Sequence, residues 1–153
     1  MDVVAVPTIR HLPDAGLRPA IGRVVDTREG GGPDRVPAGG VLRVPVLGVA
    51  GVPLVGVSGV ALNVTAVGPS GPGFLRVWDC AVAEPETSSV NFVAAGAVEP
   101  NAVLVPLMPG AGEVCVSSPL VSVDVVVDVA GRFDAGLRPA VGRLRDTRVG
   151  YVV

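Results

Sequence analysis

Apolar and polar positions alternate along much of this chain with a period of two. From Val57 to Val67, Ser58, Val60, Leu62, Val64 and Ala66 fall on one side, with Val57, Gly59, Ala61, Asn63, Thr65 and Val67 on the other. An extended strand sends successive side chains to opposite faces, so this run predicts a half-buried strand with Val60, Leu62 and Val64 on the core side. The run 121–129 behaves alike, with Val121, Val123, Val125, Val127 and Val129 on one face and Ser122, Asp124, Val126 and Asp128 on the other. The same reading places strands near 22–28, 41–47, 57–67, 73–79, 89–94, 102–107, 113–117 and 121–129. Turn formers separate them: Gly30-Gly-Gly-Pro33, Pro37-Ala-Gly-Gly40, Gly68-Pro-Ser-Gly-Pro-Gly73, Pro100-Asn101, Pro109-Gly-Ala-Gly112 and Ser117-Ser-Pro119. About eight short strands with no useful helical period predict an all-β chain, an antiparallel β-sandwich of jelly-roll or Greek-key type. Pro45 removes a ladder donor from the run 41–46 and sends that strand to an edge or a bulge. A parallel α/β fold would need crossover helices, which the pattern lacks.

Composition sharpens this picture and excludes several functions. The 153 residues include 35 valines, 21 glycines and 15 prolines, which suits short strands and turns better than helical bundles. With 49% apolar residues and a formal charge of −2, the chain can bury a core and has no bulk attraction to nucleic acid or anionic membranes. No apolar run reaches the roughly 18 residues of a membrane span, so no membrane insertion is expected. Met1 to Pro13 has no basic start leading into an apolar core, and predicts no signal peptide. There are 12 arginines, no lysine and one histidine, His11, outside the patterned region. A histidine-based triad, a Cys/His zinc centre and a lysine-dependent phosphate loop are therefore disfavoured. Asp124 and Asp128 share a strand face, but four positions of strand separate them by about 13 Å, too far to serve one ion or one acid–base pair. The chain reads as non-enzymatic, with no cofactor; a carboxylate hydrolase is the remote rival.

An internal repeat organises the chain. Residues 14–30, DAGLRPAIGRVVDTREG, return at 134–150 as DAGLRPAVGRLRDTRVG, with thirteen of seventeen positions identical at a constant offset of 120. That period is the size of a domain rather than of a solenoid repeat. The organisation expected is a lead segment, 1–13, a β-sandwich unit, 14–133, and at 134–153 the start of a next unit or an exchanged strand. A lone strand with an apolar side seeks a sheet edge. Val141, Arg143, Leu144, Asp146 and Arg148 are accordingly expected to form an inter-subunit strand. It would take or extend the place that Ile21, Arg23, Val24, Asp26 and Arg28 hold in the first copy, linking subunits head to tail.

The remaining motifs have structural and functional readings. Cys80 and Cys115 sit at or inside strand-like runs with no activating charge nearby, which favours a disulfide and an oxidising compartment over two separate buried thiols. Asp26-Thr-Arg28 reads as a strand-end turn with a local ion pair, in preference to a ligand or calcium site. Asn63-Val-Thr65 matches an N-glycosylation pattern but sits in a strand, where a structural role is preferred. Trp78 with Phe74 is either a stacking platform for sugar or core packing beside Cys80. Glu84-Pro-Glu-Thr-Ser-Ser89 reads as a solvated loop.

Taken in order, Ala61-Leu-Asn-Val-Thr-Ala-Val-Gly-Pro69, Gly73-Phe-Leu-Arg-Val-Trp-Asp-Cys80, Val90-Asn-Phe-Val-Ala94, Pro100-Asn-Ala-Val-Leu-Val-Pro-Leu107, Val114-Cys-Val-Ser117 and Asp124-Val-Val-Val-Asp-Val-Ala-Gly131 carry a resemblance. They resemble a Val/Gly-rich β-module repeated in tandem in large secreted and surface proteins of high-GC bacteria. The resemblance spans roughly residues 19–133. It implies an extracellular or cell-surface structural module in an array, stalk or filament, whose partners are neighbouring repeats or a homo-oligomer. The alternative is a carbohydrate module that binds a cell-wall glycan through Trp78.

Overall fold

The structure, a computed structural model, describes residues 16–134 together with Leu137 and Leu144. Among the described residues there is no helix, and nine strands form: β1 (Leu17–Arg18), β2 (Gly22–Asp26), β3 (Gly40–Pro45), β4 (Gly59–Val67), β5 (Gly73–Asp79), β6 (Val90–Phe92), β7 (Val98–Pro106), β8 (Glu113–Ser118) and β9 (Asp124–Phe133). All eight expected strands are there, but Pro100-Asn101, expected as a break, lies inside β7, where the proline sits on a sheet edge and costs no ladder bond. The ninth, β1, has only two residues, too few to leave a periodic signature.

The strands make two antiparallel sheets. In the first, β9 lies between β4 and the short pair β1 and β2, with β7 outside β4; in the second the order is β3-β8-β5-β6. The pairs β2–β9, β3–β8, β4–β7 and β5–β6 nest as one long folded hairpin, alternate pairs going to opposite sheets. That winding is a jelly roll.

The core forms where the inner faces meet. Val60, Leu62, Val64 and Ala66 of β4 and Val125, Val127 and Val129 of β9 come from the first sheet. Leu42, Val44, Leu75, Val77, Val90, Phe92, Val114 and Val116 come from the second. The alternation read in 57–67 and 121–129 is therefore the core pattern, except that Val126, on the outer side with Asp124 and Asp128, is buried too.

One irregularity shapes the end of the first sheet. Opposite the step from Ala61 to Leu62, β9 passes from Gly131 to Val129, which leaves Ala130 as an extra, bulged residue. A bulge shifts the side-chain alternation by one. Gly131 and Phe133 consequently share the outer face with their partners Ala61 and Gly59. This is why β9 runs on to Phe133 although the valine alternation stops at Val129.

Sheet edges invite unwanted pairing, and here they are blunted. Pro45 lies on β3, an edge strand as expected, and β6 has three residues. At either end of the β4–β7 pair the Leu107 N–H donates to the Ser58 carbonyl and the Ala97 carbonyl accepts from the Gly68 N–H, so by alternation the backbone groups of Val98, Pro100, Ala102, Leu104 and Pro106 point away from β4. Two of those five are prolines, which have no N–H to offer a stranger.

Candidate functional site

The polar residues that the sequence singles out are drawn into internal contacts. Asp26 ends β2, 6% exposed, and its two carboxylate oxygens accept from the Arg28 backbone N–H at 3.0 Å, Arg28 Nε at 2.8 Å, Arg28 Nη2 at 2.6 Å and Arg23 Nη1 at 3.3 Å. The Arg28 side-chain hydrogen bonds, outweighing the burial that opposes them, lower its pKa to about 2. Thr27 Oγ1 donates to Asp124 at 2.8 Å and accepts from the Val125 N–H at 2.9 Å. Asp124 also receives Arg35 at 2.7 Å, whose other nitrogen reaches the carbonyls of Gly68 and Ser122. Arg23 pairs with Asp128 at 3.0 Å. Asp124 and Asp128 thus bind different cations, and the Asp26-Thr-Arg28 turn is a clasp that fastens the 26–36 loop to β9. Asn63 Nδ2 donates to Thr65 Oγ1 at 3.5 Å, a contact within one strand.

The clasp makes a pH prediction. Asp26 is lowered in the fold relative to its ordinary 3.8, so the unfolded chain binds more protons between about 2 and 3.8. Its contribution is complete above pH 3.8 and fades as pH falls towards 2. In thermal melts from pH 5 to 2, Asp26→Asn is expected to start less stable and to lose less on acidification than the parent. Parallel curves would show that the pairing adds nothing.

Cys80 and Cys115 are joined in a disulfide, with Cα atoms 5.1 Å apart. Cys115 opposes Trp78 and Arg43 in register, on the outer face of the second sheet. Trp78 is 9% exposed but lies outside the main core cluster. The 80–89 loop is fastened to its neighbours in the second sheet: the disulfide ties down its start, Glu84 accepts from Ser117 Oγ and from Arg76, and Ser89 Oγ accepts from the Val77 N–H. The expected burial beside Cys80 is there, with a correction of place: Trp78 lies on the outer face of its sheet, in register with Cys115, rather than between the sheets. A covered Trp78 offers no stacking platform. Arg76 takes the face of Phe74, 5.3 Å from the ring centre.

Beside the disulfide is an open cleft of about 190 Å³ lined by Arg43, Asp79, Cys80, Ala81, Ala111, Gly112 and Glu113. That is below the usual range for ligand pockets, roughly 300–1,000 Å³. Its charged groups are engaged: Asp79 accepts from the N–H groups of Ala81 and Met108, and Arg43 pairs with Glu113 at 3.3 Å. Among the described residues no three His, Cys, Asp or Glu side chains gather to hold a metal, and no helix is long and apolar enough to cross a membrane.

Leu17 and Leu137, one residue from each repeat copy, lie at the bulged end of the first sheet. The row Leu17–Phe133–Gly59 crosses β1, β9 and β4 in register, and Ala61 with Gly131 forms the row beside it. Gly131 is buried beneath Leu17: a Cβ there would lie 2.6 Å from Leu17 Cδ1. Gly59 is buried beneath Leu137, and a Cβ there would collide with Leu137 Cδ2. Leu17 and Leu137 are the same residue of the two copies, 120 positions apart. Sequence reasoning missed this seat; Gly59, a glycine inside the 57–67 strand pattern, was the available signal. Of the first copy, Ile21 is 82% exposed, Arg23, Asp26 and Arg28 are in the clasp, and Val24 packs partly against the core. Leu144 is fully exposed, while Val141, Arg143, Asp146 and Arg148, with the lead segment 1–13, lie outside the described residues.

Neither a family model, nor a curated protein, nor a solved structure matches this chain.

Proposed function

We propose that the chain is a non-catalytic structural module, one link in a head-to-tail array of β-sandwich units in a secreted or surface protein. One observation carries this reading. The 120-residue period in the sequence coincides with the folded unit: β1 begins three residues into the first copy, and β9 ends at Phe133, immediately before the second copy starts at Asp134. Successive units would therefore follow without a spacer. The disulfide is compatible with an oxidising, extracellular setting, and the engaged Asp and Arg side chains support scaffolding over chemistry.

The exposed Leu144 favours a second reading, strand addition by residues 141–148 to another molecule. Light scattering separates the two. The covalent array has the 153-residue chain monomeric, with or without residues 134–153. Oligomers that vanish on that deletion would establish strand exchange instead. Binding to a cell-wall glycan that Trp78→Ala abolishes would overturn the structural reading altogether.

A further inference from the structure

We propose that the leucine at the head of each unit is the pin of an inter-unit joint, seated in the hollow over Gly59 of the unit before it. The inference rests on the array reading and adds the contact surface that fixes one unit against the next.

Gly59 and Gly131 are both strand residues on an outer sheet face, and neither adopts the left-handed backbone that would require glycine. A strand glycine without that need marks a close approach by another group. Here the approaching group is visible in both cases, and it is the same leucine of the two copies. Leu17 lies on Gly131 of its own unit, yet remains 57% exposed. Leu137, the head residue of the following copy, lies on Gly59 of this unit. Phe133 stands between the two seats, and Ala61 beside them keeps the floor low.

By the repeat, Leu17 relates to a preceding unit as Leu137 relates to this one. Its exposed side is then the surface that would enter the preceding unit's Gly59 hollow, while its inner side stays on Gly131. Such an interface is heterologous and continues indefinitely along one direction. The tether makes it effective: from Phe133 to Leu137 the chain spans at most about 14 Å, so the pin is never far from its hollow. Neighbouring units would abut in one orientation rather than swing freely.

Cysteine pairs test this in the 153-residue chain. After mild oxidation, Gly59→Cys with Leu137→Cys is expected to cross-link within single chains, and so is Leu17→Cys with Gly131→Cys. The crossed pair, Leu17→Cys with Gly59→Cys, is expected to stay reduced. Free thiols or only dimers from the 59/137 pair would overturn the joint. Should the pairs disturb folding, a nuclear Overhauser contact between Leu137 methyls and the Gly59 α-protons in the unaltered chain gives the same answer: its presence supports the joint and its absence refutes it. A longer chain, with residues 31–133 appended after Gly150, separates the two proposals. A folded second unit with the 59–137 cross-link intact supports both. A folded second unit that loses the cross-link refutes the joint and leaves the array standing. A second unit that fails to fold refutes the array, and the joint with it.

Discussion

Replacing Cys80 and Cys115 together by alanine is expected to cost about 3–4 kcal/mol, read as a lowered urea midpoint with a steeper slope, because the freed unfolded chain exposes more surface. The bridge closes a loop over 35 positions, and the freed unfolded chain gains the corresponding entropy. A second effect comes from where the bridge sits. Cys115 is on the outer face of the second sheet, beside Trp78, and Cys80 anchors the start of the 80–89 loop. Without that anchor the loop keeps the bond from the residue 80 N–H to the Glu113 carbonyl, the Asp79 turn and the contacts of Glu84 and Ser89. Charge pairing at such an exposed site adds little, roughly 0–1 kcal/mol. Trp78 emission is therefore expected to shift to the red in the variant under conditions where the sheets remain folded. An unshifted emission would mean that the indole stays buried without help from the disulfide.

Much of the fold was legible because valine alternation writes the sheet faces directly into the sequence. In Val60-Ala-Leu-Asn-Val64 every second residue is core, and the strand forms where the pattern places it. Pro45 likewise told of an edge. The misses have one physical origin: a burial pattern reports what a residue faces only if nothing else covers the outer side. Trp78, Cys115 and Ser117 are buried on the outer face of their sheet, a burial that strand alternation alone does not encode. The bulge at Ala130 reverses the alternation, so the strand's last stretch, Gly131-Arg-Phe133, did not read as one. The seat on Gly59 was hidden differently. Its occupant lies 78 positions further on, and only the fold brings Leu137 and β4 together. The repeat itself was plain, but the reading drawn from it turned to residues 141–148 and passed over Leu137.

Leu62→Ala is expected to cost about 3–5 kcal/mol, a large share of the roughly 5–15 kcal/mol that holds a domain of this size together. Leu62 is 1% exposed and stands in a row between Val103 of β7 and Val129 of β9. Truncation leaves a cavity that the surroundings must fill or tolerate. Valine is branched at Cβ and stiff about its first side-chain torsion, so a valine wall collapses into such a space poorly. That puts the loss towards the upper part of the range seen for buried leucines. Leu104→Ala is the matched control: the same chemistry in the same sheet, but on the outer face and 51% exposed. It is expected to change stability by no more than about 0.5–1 kcal/mol. Two denaturation curves decide the matter. Equal shifts for the two variants would mean that the inner face of β4 is not where the two sheets meet.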